Sequence, residues 1–532
     1  MRAAILRIGA TFLALAAAGC RLDPPVPGHG VDVQASWRDH AREVATLANV
    51  AWFDVYRDDV LRGLVRRAIE GNPDLAAALA HVDEARAIAV ATGADLYPRV
   101  DLSGQGGHVR LPKNQVGSGS RDMWNVSVAF DVTWELDLFG RVRSEAGASQ
   151  ARWYAATDVY RDVGIRLVAE VARTYFELRQ LDEVLEIAER TLKSRAEYVD
   201  LAKVRFEGGK TSEIDFRQAE SEYWRTEVTY VDVQRQISNK ENALSILLGK
   251  SPGAVPRGIR GPDQPLPPFV PPGLPSDLLM RRPDVTAAEA LLVSETALVG
   301  AARAALYPRI ALTGSFGWES DQLKNLFSSD SITSSVIAGL LQPIFNAGRN
   351  RSLVEAQCAR MRAAMEVYRK SVLVAFAEVE SGLVDFRRFG EQRGVQARRL
   401  EALRKVLDLA ETRYRGGVAQ YLEVLDAQRG LFDAELEEAQ TIASHLVSLT
   451  FLYKALGGGW DANYCGEAVP APPRRVVPGP SGYPPSSAVP SSSTVPRSTA
   501  VVAPPPPTVP AAAPPSPQPE TPAVAAPPAA PK

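Results

Sequence analysis

The sequence predicts an α+β membrane protein built from a duplicated unit, in which two strands are followed by one long helical hairpin. Three observations predict this fold class. Landmarks of the first half return about 210 residues later, one segment alternates strictly between apolar and polar residues, and two stretches of more than one hundred residues contain no proline. Because duplicated halves usually share one core, the 532 residues predict fewer domains than their number alone would.

The repeat is most visible in the spacing of prolines. Pro73 is followed 25 positions later by Pro98, and Pro283 is followed 25 positions later by Pro308. The residues around each second proline are Leu-Tyr-Pro-Arg in both halves. The same motif at the same spacing in both halves indicates that one structural unit occurs twice.

The N-terminus reads as an export signal that ends at a cysteine. Arg2 and Arg7 precede a short apolar stretch, and small residues lead directly into Cys20. This pattern resembles a bacterial lipobox and predicts a diacylglycerol and an N-acyl chain on Cys20, with Arg21 in the second position pointing to the outer membrane. The alternative is an ordinary signal peptide with an incidental cysteine.

Two strand pairs are predicted, at about 99–139 and 309–345. From Trp124 to Leu138 every even position is apolar and every odd position is polar, acidic or small. No run of 18 apolar residues follows residue 20, so any crossing of a membrane by the mature chain would use strands. Four strands are too few to close a barrel, and spanning therefore requires an oligomer. A soluble sheet with one buried face is the alternative.

Long helical hairpins are predicted at about 141–250 and 348–456. Both ranges lack proline, and each divides at a double glycine, Gly208-Gly209 and Gly416-Gly417, which suits a turn between antiparallel helices. The first helix of each pair should run to about 60 residues, or roughly 90 Å. Apolar residues at alternating three- and four-residue steps give each long helix a coiled-coil seam.

Several motifs in order make the chain similar to the TolC-like outer-membrane efflux channels, in the lipoprotein branch that includes the OprM and NodT proteins. The segment Trp134–Arg143 matches the first strand-to-helix transition of that family. Arg281–Asp284 matches the link between the halves, and Gln342–Phe345 with Gly348-Arg349 matches the second transition. The resemblance covers about residues 20–460.

The resemblance implies a homotrimer with four strands per chain in one outer-membrane β-barrel and an α-helical barrel in the periplasm. It implies a passive exit duct for small molecules, opened by a periplasmic adaptor protein and an inner-membrane pump of the RND type. Two alternatives remain at this stage. The duct could serve type I protein secretion, or the chain could be a non-conducting periplasmic scaffold.

The resemblance also implies a periplasmic gate where the hairpins turn. In related lipoprotein channels a Tyr-Arg pair and a following Asp hold the tip shut, and by motif these residues are Tyr414, Arg415 and Asp426. An arginine and an aspartate attract more strongly where they are partly buried. The alternative is that Arg415 and Asp426 are ordinary surface charges.

Other functional classes find no support in the sequence. The five histidines and three cysteines have no metal-ligand spacing, and no nucleophile or phosphate-loop motif occurs, so we predict neither an enzyme nor a cofactor beyond the lipid. A formal charge of −2 without a basic stripe predicts no nucleic-acid partner.

The predicted organisation has five parts. The leader is followed by a first repeat, a proline-rich linker, a second repeat and a tail rich in Pro, Ala and Ser that cannot bury a core. Their bounds are 1–19, 20–251, 252–274, 275–460 and 461–532.

Overall fold

The structure is a computed structural model, and it describes residues 22–33, 37, 57–112, 122–267, 270, 273 and 275–458. These residues belong to one compact unit. The predicted leader, the predicted lipidation site Cys20 and the predicted tail lie outside the described residues.

Each repeat contains two shorter helices, two strands and two longer helices. The first repeat comprises α1 (Asp59–Gly71), α2 (Pro73–Ala94), β1 (Arg99–Arg110), β2 (Asp122–Leu136), α3 (Arg141–Glu207) and α4 (Glu213–Leu247). The second repeat comprises α5 (Pro275–Arg281), α6 (Pro283–Ala304), β3 (Arg309–Ser320), β4 (Ile332–Leu341), α7 (Arg349–Arg415) and α8 (Tyr421–Ala455). Both α3 and α7 have 67 residues, so each is about 100 Å long and exceeds the expected length.

The strands form one antiparallel sheet in the order β1-β2-β3-β4. Even-numbered residues pair with even-numbered residues across all three strand pairs, so they share one face. That face is largely apolar and exposed; it includes Leu102, Trp124, Phe130, Phe316, Val336 and Leu340. The opposite face is largely polar, and there Ser103 donates to Asp131 at 2.5 Å. The alternation in the sequence therefore extends across the whole sheet.

Two strands end earlier than the sequence pattern suggested. Strand β2 stops at Leu136 because Asp137 turns away to cap α3, where its carboxylate accepts hydrogen bonds from the backbone amides of Val142 and Arg143. Strand β4 stops at Leu341 rather than Phe345. Pro343 has no amide hydrogen for the ladder, which explains the earlier end.

The long helices lie side by side in the order α4-α3-α8-α7. The predicted seams are buried or half-buried: Leu178 and Ala188 on α3 are fully buried, as is Leu400 on α7. This order leaves α4 and α7 at the two edges of the layer. Many of their side chains are exposed in the single chain.

The linker between the repeats is fastened to the middle of α3 by one buried carboxylate. Asp58 caps α1 through one carboxylate oxygen, while the other accepts hydrogen bonds from Tyr175, Ile259 and Gln264 at 2.8 to 3.0 Å. A buried charge needs such complete hydrogen bonding. The linker is therefore held around the waist of the molecule, roughly midway along α3.

Helix α6 is the one described helix whose length and apolar composition would allow it to cross a membrane. It is mostly buried inside the protein, where it packs against α3 and α7. Residues such as Leu292 and Val299 are fully covered. These contacts make α6 a core helix of the layer.

Candidate functional site

The two hairpin turns are built in the same way. In each, a glycine with positive φ, Gly209 or Gly417, follows the end of the long helix, and the next amide hydrogen-bonds back to the last turn. Lys210 donates to the carbonyl of Arg205 and Val418 to that of Arg413, at 2.9 and 3.0 Å. Left-handed glycines in this arrangement satisfy carbonyls that a helix end leaves free. Both turns predicted from the double glycines thus lie at one end of the helical layer.

A small aromatic core joins the two turns. Tyr414 is buried between α3 and α8, with the guanidinium of Arg205 4.4 Å from its ring centroid and the ring of Tyr421 at 5.7 Å. Tyr198 of α3 lies in the same cluster, and burial raises the pKa of its hydroxyl. Tyr414 therefore packs within its own chain, linking the first hairpin to the second.

The other two predicted gate residues do not meet within one chain. Arg415 is exposed and forms an ion pair with Glu411, one turn back on α7, at 3.4 Å. Asp426 is exposed on the second turn of α8, where its charge helps to raise the pKa of Arg429. Among the described residues no ion pair connects Arg415 with Asp426.

Three charged residues that sequence reasoning missed form a largely buried link at this end. Glu222 of α4 is buried and lies 3.1 Å from Arg195 of α3, which is equally buried. Its other carboxylate oxygen accepts from Arg429 of α8 at 2.5 and 2.8 Å. Arg195 also donates to Thr226 and lies 5.2 Å from the ring of Phe432. We call Arg195, Glu222 and Arg429 the tip triad.

The electrostatics of the tip triad depend on all three members. Burial lowers the pKa of Arg195, and the neighbouring carboxylate of Glu222 opposes that shift. A hydrogen bond to the same carboxylate raises the pKa of Arg429. Since a buried ion pair with one partner removed is strongly destabilised, the tip triad ties three helices of both repeats together near their turns.

One sequence signal could have identified the tip triad. Ala219, Glu222 and Thr226 follow each other at steps of three and four on α4, and all three are buried. A charged residue between two small residues at this spacing indicates a position on the packed face of a helix. Nothing in the sequence indicates which arginines face it, since Arg429 is 207 positions away.

A buried histidine lies between α7 and α8, farther from the hairpin turns. His445 of α8 contacts the ring of Phe386 of α7, with 4.8 Å between ring centroids, and its Nδ1 has no protein hydrogen-bond partner. Burial lowers its pKa, and the positive charge of Arg393 lowers it further. Protonation would place an uncompensated charge between α7 and α8.

The described residues contain no cluster of three metal-ligating side chains. What the hairpin ends offer is mechanical: helix ends held by a mixture of buried and exposed ion pairs. Exposed pairs contribute little and exchange easily, whereas the tip triad is costly to break.

Comparisons with known proteins agree with this architecture. The model of the outer membrane efflux protein family matches residues 64–250 and 274–458. The solvent efflux pump outer membrane protein SrpC of Pseudomonas putida is 35% identical over 466 residues, which cover 85% of this chain and 98% of that protein. Outer membrane protein OprJ of Pseudomonas aeruginosa is 33% identical over 479 residues, which cover 87% of this chain and 97% of that protein.

Solved structures give the same result. The open state of the Neisseria gonorrhoeae MtrE outer membrane channel is 28% identical with a TM-score of 0.75, covering 83% of this chain and 98% of that one. A structure of CusC is 30% identical with a TM-score of 0.74, covering 83% of this chain and 100% of that one. A duplicated strand and hairpin unit, a sheet with one apolar face, and matches across both repeats establish that this chain belongs to the outer membrane efflux protein family.

Proposed function

We propose that this chain is the outer-membrane exit duct of a tripartite efflux system, through which small molecules leave the cell passively. The observation that carries this proposal is the sheet, whose even-numbered face is apolar and exposed and whose odd-numbered face is polar. Apolar residues outward and polar residues inward are what a water-filled barrel in lipid requires. The similarity to SrpC, the outer membrane protein of a solvent efflux pump, supports the same role.

A homotrimer completes the barrel in this proposal. The outer edges of β1 and β4 are unpaired among the described residues, and four strands fall short of the roughly eight needed for closure. Three copies would supply twelve strands and pair each β1 edge with a neighbouring β4 edge. Pairing also removes exposed sheet edges, which otherwise cost backbone hydrogen bonds in lipid.

Charge on the helical layer supports the same assembly. Helix α4, at one edge, carries seven carboxylates and four cationic residues, whereas α7 from Asp385 onward carries nine cationic residues and five carboxylates. A ring of three copies sets α4 of one chain against α7 of the next. Opposite net charges across that contact favour the correct neighbour.

A lipid anchor at Cys20 also fits the described part of the chain. The carbonyl of Leu22 accepts a hydrogen bond from Arg303 at 3.4 Å, and Asp23 accepts one from Ser144 at 2.6 Å. Ser144 and Arg303 lie where helices meet the strands. Two residues span at most about 7 Å, so the acyl chains of Cys20 would begin beside the membrane.

The anchor is tested by replacing Cys20 with serine. We expect the variant to lose incorporation of radioactive palmitate and processing at this site, because the thiol that accepts the diacylglycerol is gone. Equal labelling of variant and wild type would contradict the anchor. That result would not contradict the proposed barrel or the proposed trimer.

Tyr414, Arg415 and Asp426 are proposed as gate residues at the periplasmic end. Two observations support this role. Arg415 and Asp426 are exposed near a hairpin turn, and the contacts of Arg415 with Glu411 and Tyr198 leave its side chain 69% exposed. Both side chains are therefore accessible to a neighbouring copy. A periplasmic adaptor and an inner-membrane RND pump would supply the interactions that open this end.

Conductance of the purified protein in planar bilayers tests the proposed duct. We expect step-like currents from intact trimers, small at rest and larger once the gate is weakened. Intact trimers that never conduct, even with the gate residues replaced, would favour a periplasmic scaffold. The conductance measurement does not test a role for the proline-rich segment after residue 460.

A further inference from the structure

The Arg282-Pro283-Asp284 motif marks the place where two helices meet end to end. Helix α8 finishes at Ala455, and α6 begins at Pro283 directly beyond it. Gly457 adopts a positive φ there, and a Cβ atom on it would lie 3.3 Å from the backbone of Arg281. The chain leaves α8 through this glycine, and the close approach of the two backbones sets the start of α6 against the end of α8.

Arg282 fills the junction with charge-assisted contacts. Its guanidinium is buried, holds Asp284 in a two-pronged ion pair at 2.7 and 3.0 Å, and lies 2.7 Å from Glu378 of α7. The same guanidinium donates to the carbonyl of Ala455 at 3.1 Å. The last carbonyls of a helix lack intrahelical donors and carry partial negative charge. A buried cation at this position supplies a hydrogen-bond donor and also a compensating positive charge.

The surroundings of Arg282 are electrically balanced. Arg166 of α3 lies 2.7 Å from Asp162, Lys454 of α8 lies 3.9 Å from Glu378, and the charges of Asp284 and Lys454 both act on Asp162. The group contains three cations and three carboxylates from α3, α6, α7 and α8, which are Arg166, Arg282, Lys454, Asp162, Asp284 and Glu378. Removing Arg282 leaves two carboxylates of this group without their main partner.

The first repeat solves the same problem with a neutral residue. Asn72 occupies the position of Arg282, caps α2, and donates from its side chain to the carbonyl of Leu247 near the end of α4 at 3.0 Å. Gly249 has a positive φ, and a Cβ there would lie 1.9 Å from the carbonyl oxygen of Gly71. The junction of the first repeat therefore depends on one neutral hydrogen bond, whereas that of the second depends on a charged network.

We propose that Arg282 is a positioning residue that splices α6 onto the end of α8, so that the strand-bearing end and the hairpin end of the second repeat move as one continuous column. The splice itself follows from the contacts of Arg282. Its role in transmitting movement rests on the proposed duct and its gate.

Hydrogen exchange on the purified full chain in detergent tests the splice. In Arg282→Met we expect amides in the last turns of α8 and the first turn of α6 to exchange at least roughly tenfold faster, because removal of one partner from a buried ion pair is strongly destabilising. The exchange rate of Arg282→Lys should fall between those of Arg282→Met and wild type, since the lysine ammonium keeps the positive charge but cannot form the two-pronged ion pair of a guanidinium. The matched control is Arg369→Met on α7, an exposed arginine whose pair with Glu366 contributes little, and it should change exchange at the junction less than twofold.

A second variant separates charge from packing. The double change Arg282→Met/Glu378→Gln should exchange more slowly at the junction than Arg282→Met, because it leaves one carboxylate fewer unpaired. Wild-type exchange in Arg282→Met, or failure of the double variant to recover any protection, would overturn the electrostatic splice. If Arg282→Met does not fold, Arg282→Lys against Arg369→Met carries the same comparison.

Transmission is read separately from single-channel currents. If the column is continuous, Arg282→Lys should change the rates of opening and closing while the open conductance stays within about twofold of wild type, since Arg282 is far from the hairpin ends. Faster exchange at the junction with unchanged gating would refute transmission and leave the splice intact. If wild-type trimers do not conduct, the proposed duct fails, while the exchange result still decides the splice.

Discussion

Replacing Glu222 with glutamine should loosen the hairpin end more than any other single change of charge in that region. The change keeps the size of the side chain and removes its negative charge. Arg195, whose side chain is 4% exposed, then stays buried without a carboxylate, although Thr226 and the carbonyl oxygen at position 222 still accept from it. Arg429 is 41% exposed and can turn toward water, so most of the loss falls on Arg195.

The size of the effect follows from this burial. Breaking a buried ion pair by removing one partner costs about 3 to 5 kcal/mol, and the two remaining hydrogen bonds of Arg195 place this case at about 3 kcal/mol. Because about 1.4 kcal/mol is a factor of ten, the population in which α4 has opened near its turn should rise roughly a hundredfold. Replacement of both partners, in Glu222→Gln/Arg195→Met, should recover a large part of the loss because no buried charge remains unpaired.

Native-state proteolysis measures that population when opening is faster than cleavage. Thermolysin cuts between residues 213 and 226, identified by mass spectrometry, should be roughly a hundred times faster in Glu222→Gln. Glu220→Gln is the matched control, since Glu220 pairs with Arg217 at 2.9 Å on the exposed side of the same helix and should cost less than 1 kcal/mol. Equal cleavage of the two variants would refute the assignment of the tip triad as the main link.

Three further predictions concern other levels of the molecule. With the other native free thiols removed, a cysteine at Thr133 should react with a water-soluble thiol reagent faster than one at Val132, and the reverse ranking would show that the two faces of the sheet are misassigned. Replacement of both Arg415 and Asp426 by serine should raise the single-channel conductance of isolated trimers without an adaptor, and unchanged conductance in intact trimers would make them ordinary surface charges. His445 has a folded-state pKa below its ordinary value of 6.5, so its contribution is complete above that pH and is lost as the pH falls below it. The melting temperature should therefore drop less between pH 7 and 5 in His445→Gln than in wild type, and parallel pH profiles would exclude this histidine as the cause.

The sequence was most informative where a local pattern is typical of one kind of structure. Alternation from Trp124 predicted the apolar face of the sheet, and the double glycines predicted both hairpin turns. Strand β4 alternates poorly by itself, and its register became clear only through its pairing with β3, which places Val336 on the apolar face and Ser335 on the polar one. Local patterns predict elements, whereas pairing decides the faces of a weakly patterned strand.

Long-range ionic contacts were out of reach of the sequence. Glu222 and Arg429 are 207 positions apart, and each looks like one more charge on a charged helix. The role of Arg282 was hidden in the same way, because its partner Ala455 is 173 positions away and contributes only a backbone carbonyl. Which charge is buried depends on how neighbouring helices are aligned along their length, and helical periodicity does not give that alignment.

The longer helices of the two repeats have diverged in charge but not in length. α3 and α7 have the same number of residues, as do α4 and α8, and α2 and α6. One inserted residue would lengthen a helix by about 1.5 Å and rotate everything beyond it by about 100°. An insertion in one repeat alone would therefore set the two hairpin turns at different heights and turn a buried seam toward water. Engineers of this scaffold can exchange surface charges freely, but changes in length must be made in both repeats at once.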